Sequence, residues 1–339
     1  MFYVGLDVHS KMIAVCVLND EGKVWQRCEV RQVDQLLGVL QRLPDRFEAC
    51  FEASTGYGWC YELLQPLASR VVVAHPGLLR LIFRSKRKND RKDAEKLAKL
   101  LFLNAVPAVH VPTAQIRAWR ELINFRRKMV QKRTRTKNEV RALLRTVGAI
   151  PPRRPGLWTK AGQDWLKALS FTQPLQALRR DILVQELESL TVQVRRVETE
   201  LSRFSQDNPA VHQLQTIPGV GLRTAEAVVA FIDDPHRFAH SKIIGSYFGM
   251  VPCQDQSAGK NKLGHITRDG SATVRQLLTE AVWQAVRRSP TIRAYLQRVQ
   301  RDDPTRKKIA VVATAHYLAR VMYAMLRDGT IWKEKPIAA

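Results

Sequence analysis

The first 112 residues alternate between short apolar runs and segments with helical periodicity, which is the pattern of an α/β domain. The apolar runs that predict strands cover 2–8, 12–18, 23–30, 48–53 and 70–75. The segments that predict helices cover 36–43, 57–68 and 90–103. Asn19-Asp20-Glu21-Gly22, between the second and third runs, is a hairpin turn signal that predicts antiparallel neighbours.

The order of these elements indicates the fold class of this region. Three early antiparallel strands followed by alternating helices and strands match the order of an RNase H-like fold. A generic three-layer α/β domain has the same periodicity, so the pattern alone leaves both folds open.

Residues 113–205 follow a different pattern, which predicts a helical arm. Seven apolar residues alternate spacings of four and three, as in the seam of a coiled coil. They are Leu183, Leu187, Leu190, Val194, Val197, Leu201 and Phe204. A long amphipathic helix packed on its own domain has the same spacing. As a coiled coil, the arm would also dimerise the chain.

Residues 206–339 are predicted to be mainly helical, with a Gly-rich, polar interruption from 252 to 270. Within it, residues 256–270 are predicted to form a polar, glycine-bearing loop. The chain is therefore predicted to have three domains, at 1–112, 113–205 and 206–339. No uninterrupted apolar run approaches the roughly 18 residues of a membrane span, so no membrane partner is expected.

The charge of the chain points to a nucleic-acid partner. Lys and Arg number 55 against 31 Asp and Glu, which gives a net charge of +24. Such an excess in a folded chain favours nucleic-acid binding over a merely basic surface. The five cysteines are widely spaced and form no Cys-x-x-Cys pair, which argues against a disulfide framework or a zinc ribbon. The cysteine pattern and the absence of a secretory signal predict a cytoplasmic protein.

Four acidic residues stand out because of their positions. Asp7 lies inside an apolar strand pattern, Glu52 ends another, and Asp90 and Asp93 lie three apart at the start of a predicted helix. A carboxylate in an apolar strand is costly unless it is paired or binds a cation. Carboxylate oxygens suit hard divalent ions, so these four could hold metal for phosphodiester chemistry. Stabilisation of a helix end, a helix cap and a salt bridge remain open as alternatives.

Two C-terminal motifs could contact phosphate. Ile217-Pro218-Gly219-Val220-Gly221 precedes a helical pattern and resembles a helix-hairpin-helix element, although a tight helix–helix turn has the same sequence features. The polar loop carries Ser257, which could act as a nucleophile beside its basic side chains. A loop serine is more commonly a turn residue, and residue chemistry alone does not select Ser257.

The predicted nucleic-acid contacts combine the basic segments with these two motifs. They are Arg84, Lys86, Arg87, Lys88, Arg126, Arg127, Lys128, Lys132, Arg133, Gly219, Gly221, Lys260, Lys262, His265 and Arg268.

Six sequence blocks together resemble the DEDD transposases of the insertion-sequence 110 family, which are related to the Piv-type DNA invertases. The blocks are GLDVHSK (5–11), EASTG (52–56), KNDRKDA (88–94), IPGVG (217–221), FGMVP (248–252) and the loop at 257–267. They occur in the family's order and cover nearly the whole chain.

The resemblance implies a RuvC-like, RNase H-like N-terminal domain in which Asp7, Glu52, Asp90 and Asp93 bind Mg²⁺ or Mn²⁺. It implies a catalytic serine in the C-terminal domain, which maps onto Ser257 and would form a covalent phosphoserine link with DNA. It further implies a structured non-coding bridge RNA that selects donor and target DNA by base pairing. The family pattern suggests a dimer that assembles into a tetramer on nucleic acid, near the bacterial nucleoid.

Three other functions compete with that of an insertion-sequence transposase. A site-specific DNA invertase of the same family shares all six blocks. A RuvC-like, metal-dependent junction nuclease would use the four carboxylates alone and would leave the C-terminal half without a chemical role. An architectural nucleic-acid-binding protein would need no carboxylate at Asp7.

Overall fold

The structure is a computed structural model. It describes residues 1–54, 56–82, 90–154, 156–257 and 260–334, with only the backbone described for Asp90, Arg91, Ser257, Lys260 and Asn261. Contacts group the chain into two compact units, Met1–Arg117 and Ala118–Ala339. The sequence pattern predicts three domains. In the structure, nearly all of the helical arm at 113–205 belongs to the same unit as the C-terminal helices.

The first unit is built on a five-stranded mixed sheet. Its strands are β1 (Phe2–Val8), β2 (Ile13–Leu18), β3 (Val24–Val30), β4 (Phe47–Glu52) and β5 (Arg70–Ala74). Their order across the sheet is β3-β2-β1-β4-β5. β2 is antiparallel to both β1 and β3, whereas β4 is parallel to both β1 and β5. The predicted strands are confirmed, with small shifts at their ends.

In the described part of the first unit, four helices accompany the sheet. They are α1 (Val33–Gln41), α2 (Tyr57–Leu64), α3 (Pro76–Ile82) and α4 (Asp90–Phe102). The predicted helices correspond to α1, α2 and α4. The sequence pattern missed α3 because Pro76-Gly77 reads as a break, although proline is favoured at the first position of a helix.

Both faces of the sheet are covered, because alternate residues of its central strands are apolar on both sides. Val4 and Leu6 of β1 are fully buried in one cluster with Leu36 of α1 and Leu64 of α2. The opposite face packs Ala and Cys side chains of β2 against α4.

Gly5 sets the approach of α4 to β1. A Cβ atom at this position would overlap the carbonyl oxygen of Ala94 and lie 2.5 Å from the amide nitrogen of Ala98. Nearer the start of β1, the ring of Tyr3 lies 5.3 Å from that of Phe102. α4 therefore runs antiparallel to β1, with its N-terminal end towards the C-terminal end of the strand.

Replacing Gly5 with Ala is expected to destabilise the first unit, because the added methyl group has no space between β1 and α4. Overpacking of this kind costs about 1–3 kcal/mol. Chemical denaturation measures the change in the free energy of unfolding.

Gly38 offers the matched control for this substitution. A Cβ atom at Gly38, in the middle of α1, would meet nothing within 4 Å. Gly38→Ala should therefore leave stability unchanged or raise it by about 0.5–1 kcal/mol. Equal effects of the two substitutions would contradict the close packing of α4 on β1.

The second unit is mainly helical. Its helices are α5 (Ala114–Thr146), α6 (Lys160–Ala168), α7 (Pro174–Ser205), α8 (Pro209–Gln215), α9 (Leu222–Ile232), α10 (Lys242–Tyr247), α11 (Ala272–Arg288), α12 (Pro290–Gln300) and α13 (Lys307–Asp328). The first residues of α5 precede the boundary between the two units at Arg117. Two strands, β6 (Pro252–Ser257) and β7 (Lys260–Ile266), pair antiparallel.

The prediction of a polar loop over 256–270 is wrong for most of that segment, since β6 and β7 form a hairpin there. The register places Asp255 opposite Lys262 and Gln256 opposite Asn261. Polar residues on both strands hide the alternation that marks a half-buried strand, so the sequence pattern resembles that of a loop.

α5 and α7 form an antiparallel pair within the chain. The ring of Trp119 lies 5.0 Å from the ring of Phe204, and Arg126 Nε donates to Glu198 Oε1 at 2.8 Å. At the other end of the pair, one apolar cluster includes Val140, Leu143, Leu144, Leu183 and Val184.

This pairing decides between the two interpretations of the heptad pattern for this chain. Leu183, Leu187, Leu190, Val194 and Leu201 of the predicted seam are buried inside the chain itself. These residues therefore fit the second interpretation, in which α7 is a long amphipathic helix packed on its own unit. Five of the seven seam residues are therefore covered within the chain, whereas Phe204 is exposed.

One long helical segment near the C-terminal end is mainly apolar. By length and composition Pro304–Asp328 could cross a membrane, with a mean hydropathy of 1.5. The apolar runs do not predict this segment, because polar residues interrupt them. Half of it is buried inside the structure, and Ala315, Leu318 and Met322 of α13 are fully buried. α13 packs against α8, α10, α11 and α12, which is typical of a core helix.

Glu226 is a fully buried carboxylate in the second unit. Ser205 Oγ donates to its Oε1 at 2.5 Å, and Arg223 Nη1 donates to Oε2 at 2.7 Å. Burial raises the pKa of Glu226 above its ordinary value of 4.5, while Ser205 and Arg223 lower it by a smaller amount. The net shift is upward.

This shift makes stability depend on pH. A carboxyl group whose pKa is higher in the folded state than in the unfolded state contributes stability below its unfolded pKa, and that contribution is lost as pH rises through the folded pKa. Unfolding free energies of the native chain should therefore fall relative to Glu226→Gln as pH rises above about 4.5. The difference between the two proteins should be constant below that pH. Urea denaturation at several pH values tests this, and a constant difference throughout would contradict it.

Candidate active site and nucleic-acid contacts

Asp7 and Glu52 lie side by side at one edge of the sheet. β1 and β4 are parallel, and Leu6 pairs with Phe51 in their register. The next residues along the two strands are Asp7 and Glu52. Because parallel strands end at the same edge, both carboxylates lie where apolar strands emerge from the core. The register therefore brings together two of the four carboxylate positions that stand out in the sequence.

Asp7 is mostly buried and has a titratable neighbour. Its side chain is 14% exposed, and its Oδ2 lies 3.1 Å from Nε2 of His9. His9, two residues further along the chain, is itself exposed. The pairing partly offsets the cost of placing a carboxylate at the end of a buried strand.

Asp93 is carried to the same end of β1 by α4. It precedes Ala94, whose carbonyl oxygen packs over Gly5. The Asp93 carboxylate accepts a hydrogen bond from Lys96 Nζ at 2.7 Å. Sequence reasoning missed Lys96, although the spacing of three residues on one helix was the available signal.

The predicted tetrad is described only in part. Asp90 begins α4, but its side chain lies outside the described residues. Among the described side chains, no three acidic, His or Cys residues are gathered closely enough to hold a metal ion. Of the four predicted residues, Asp7 and Glu52 occupy adjacent strand positions. Asp93 lies near the same end of β1, but its carboxylate is paired with Lys96.

The basic residues predicted to contact nucleic acid have different environments. Arg84, Lys86, Arg87 and Lys88 lie outside the described residues. Arg126 is paired with Glu198, and Arg127 donates to Gln276 Oε1 at 2.9 Å, so both contribute to packing within the second unit. Lys128 and Lys132 are exposed, and Arg133 is half-buried.

The Pro-Gly-x-Gly motif forms the turn between α8 and α9. Gly219 has φ of +92°. A Cβ atom there would lie only 2.4 Å from the backbone nitrogen of Ala285 and 2.6 Å from its Cα, in α11. A side chain at Gly219 is thus excluded both by conformation and by close packing. Gly221 precedes α9 with open space around it. The packing of Gly219 supports the tight-turn interpretation, while Gly221 leaves one side of the turn open.

The β6–β7 hairpin carries the candidate nucleophile. Ser257 is the last residue of β6, and its backbone pairs with that of Lys260. The side chains of Ser257 and Lys260 lie outside the described residues, whereas Lys262, His265 and Arg268 are exposed. His265 Nδ1 donates to the carbonyl oxygen of Ile266 at 2.7 Å, which orients the ring.

Two family models match the chain. The DEDD model of the IS110 group, described as "Transposase", matches residues 4–148. The model described as "Transposase IS116/IS110/IS902 family" matches residues 211–297. The first region contains the carboxylates of the sheet edge, and the second contains the Pro-Gly-x-Gly turn and the β6–β7 hairpin.

Curated relatives match over most of the chain. A probable family 20 transposase of Pseudomonas aeruginosa is 25% identical over 97% of this chain and 98% of its own length. The transposase for insertion sequence element IS1111A of Coxiella burnetii is 26% identical over 81% of this chain and 75% of its own length. A pilin gene-inverting protein of Moraxella lacunata is 24% identical over 58% of this chain and 67% of its own length.

The matched models account for both the acidic sheet edge and the C-terminal motifs, and the relatives agree with them. The chain therefore belongs to the IS110 family of transposases, which are enzymes that cut and rejoin DNA.

Proposed function

We propose that this chain is the transposase of a bacterial insertion sequence and that it joins DNA through a covalent phosphoserine intermediate. In this proposal a bridge RNA encoded by the element selects donor and target DNA by base pairing. The observation that supports it most directly is the register of β1 and β4, in which Asp7 and Glu52 directly follow the paired residues Leu6 and Phe51, within the region that the DEDD model matches.

The sheet supports an RNase H-like, RuvC-like fold for the first unit. Three antiparallel strands lead into two strands parallel to the first, in the order β3-β2-β1-β4-β5. This is the element order that the sequence pattern associates with that fold. The carboxylates lie at the C-terminal ends of its adjacent parallel strands.

The donor set at this edge fits a hard divalent cation, because Asp7, Glu52, Asp90 and Asp93 offer carboxylate oxygens only. These four residues would hold Mg²⁺ or Mn²⁺, with Asp93 leaving its ion pair with Lys96. The metal, when bound, neutralises charge on the scissile phosphate. His9 remains beside Asp7 and helps to fix the orientation of its carboxylate.

Ser257 would supply the nucleophile. Its hydroxyl oxygen forms a bond to phosphorus, one P–O bond of the DNA backbone breaks, and the departing deoxyribose oxygen takes up a proton as a hydroxyl group. The serine proton passes to a neighbouring side chain or water that acts as a general base. A hydroxyl group of another strand then attacks the phosphoserine and regenerates Ser257. Lys262, His265 and Arg268 are exposed around the hairpin and would bind the phosphate oxygens.

The charge of the chain supports polyanionic partners. A net charge of +24 favours many phosphate contacts, which carry no sequence information by themselves. An RNA that pairs with DNA would supply the missing sequence selection. A homodimer that assembles into a tetramer on donor and target DNA, in the cytoplasm beside the nucleoid, completes the proposal.

The test is a recombination assay with purified protein, a donor plasmid carrying the element ends, a target plasmid and a transcript of the element's non-coding flank. We expect joined donor–target DNA only with protein, transcript and Mg²⁺ or Mn²⁺ together. Products that form equally well without the transcript would refute RNA guidance. Cleavage of four-way junctions without any joining would favour a junction nuclease instead.

A site-specific invertase is the second candidate, and the similarity to pilin gene-inverting proteins favours it. An invertase reverses a segment within one molecule and leaves no intermolecular product. The same reaction on a plasmid with two element ends in opposite orientation distinguishes the two functions. Inversion without transfer to a target plasmid would select the invertase.

A further inference from the structure

A basic pocket lies at the closed end of the α5–α7 pair, where the chain leaves α5 and approaches α6. It has a volume of about 450 Å³. The lining residues on which the inference rests are Arg141, Arg145, Pro151, Pro152, Arg153 and Trp158. We call it the hairpin-end pocket. It is separate from the acidic sheet edge, the Pro-Gly-x-Gly turn and the β6–β7 hairpin.

The hairpin-end pocket has an uncompensated positive charge. Arg141, Arg145 and Arg153 are exposed, and none of the described residues that line the pocket is acidic. Arg141 Nη1 donates to Asn138 Oδ1 at 2.9 Å, and this amide carries no charge. Three guanidinium groups around one cavity favour an anion with several oxygen acceptors.

Cations are also concentrated next to the pocket. Lys137 Nζ lies 5.0 Å and Arg141 Cζ lies 5.2 Å from the centre of the Trp158 ring. These distances are within the range of cation–π attraction. Burial lowers the pKa of Lys137, and the neighbouring charges of Arg133 and Arg141 lower it further. The fold thus holds like charges together, an arrangement that a bound phosphate would stabilise.

The uncharged part of the lining is apolar and includes an aromatic ring and two prolines. Trp158 packs on the apolar cluster beneath it, and two consecutive prolines line the same pocket. Proline rings and an indole edge offer apolar surface to a planar ligand. The volume lies in the range of small-ligand sites, which are on the order of 300–1,000 Å³. A single nucleotide fits such a space, whereas a stacked base pair does not.

We propose that the hairpin-end pocket binds one unpaired nucleotide of a single-stranded segment, with its base against Trp158, Pro151 and Pro152 and its phosphate on the three arginines. Single strands expose bases for such contacts, whereas duplexes hide them in the stack. The inference rests on the proposed function only in that both an RNA and a locally unpaired DNA strand are present in that reaction. The same chemistry serves either source.

The experiment measures binding by the full-length protein to a labelled, unstructured RNA, a DNA of the same sequence and the corresponding duplex. Arg145→Ala/Arg153→Ala removes two pocket charges. Arg195→Ala/Arg196→Ala removes two exposed charges from α7 and is the matched control. Each variant is measured over a series of salt concentrations.

The pocket variant should bind the single strand about fourfold more weakly than the control at physiological salt, because the one proposed phosphate contact releases about 0.7 counterions on a single strand. Its salt dependence should be shallower by about 0.7 in log–log slope for the loss of that contact. Duplex binding should fall no further than in the control. RNA bound more tightly than DNA identifies the RNA as the source, and equal or tighter DNA binding identifies an unpaired DNA strand.

Photocrosslinking provides a second measurement that needs no variant. An oligonucleotide carrying 5-iodouracil should crosslink to peptides within 141–158 of the unmodified protein. Crosslinks confined to other segments would overturn the proposal, as would equal loss of single-strand binding in both double variants. Recombination is not used as a readout, so a failed recombination assay refutes the proposed function and leaves this result standing.

Discussion

Replacing Ser257 with Ala is expected to abolish DNA joining and the covalent protein–DNA adduct while nucleic-acid binding persists. The substitution removes the hydroxyl oxygen that would bond to phosphorus. Loss of a covalent nucleophile should lower strand transfer by at least about a thousandfold.

The measurement traps reactions with denaturant and separates DNA attached to protein from free DNA. Ser246→Ala is the matched control, because Ser246 is exposed in α10 of the same unit. The control should form the adduct at the wild-type level. An adduct with Ser257→Ala would place the nucleophile elsewhere, and cut DNA without an adduct in the wild type would favour hydrolysis by the carboxylates alone.

Replacing Asp7 with Asn is expected to abolish strand cleavage without lowering stability. The change removes a charged oxygen ligand from the sheet edge, and a metal ligand set supplies several kcal/mol of charge stabilisation in phosphoryl chemistry. At about 1.4 kcal/mol for each factor of ten, the rate should fall by at least about a hundredfold. Asp7 is 14% exposed, so a neutral amide should cost little in folding.

The readouts for Asp7→Asn are cleavage, thermal unfolding and binding of Mn²⁺ by titration calorimetry. Asp20→Asn is the control, because Asp20 is exposed in the turn between β2 and β3. Asp7→Asn should lose metal binding and cleavage together, whereas the control should retain both. Retained cleavage would remove Asp7 from the catalytic set and favour an architectural role for the first unit.

Much of the N-terminal fold follows from the sequence. Consecutive apolar residues such as those of β1 bury side chains on both faces of the sheet, and this pattern is visible without coordinates. The turn at Asn19–Gly22 likewise specifies a hairpin by local chemistry. The sequence pattern did not predict α3, because a proline and a glycine interrupt secondary structure in one context and begin a helix in another.

The candidate site was predicted less completely than the fold. The positions of Asp7 and Glu52 at the ends of apolar runs were informative, because an acidic residue conflicts with its surroundings there. The pairing of Asp93 with Lys96 was not predicted, because that contact depends on side-chain rotamers. Ser257 had no distinguishing local feature, and only the family resemblance selected it.

By itself the sequence determined the class of each half of the chain, the acidic strand ends and the positive charge, because these depend on periodicity and composition. Only the tertiary structure decided that most residues of the heptad seam of α7 are buried within the chain, where α7 pairs with α5. Only it revealed that polar residues around Ser257 pair as two strands and that Arg141, Arg145 and Arg153 surround one pocket. The physical reason is that a hydrophobic stripe, a polar strand or a basic cluster determines only what kind of surface can pack or bind against it. Which segment of the chain packs there depends on contacts between residues far apart in the sequence.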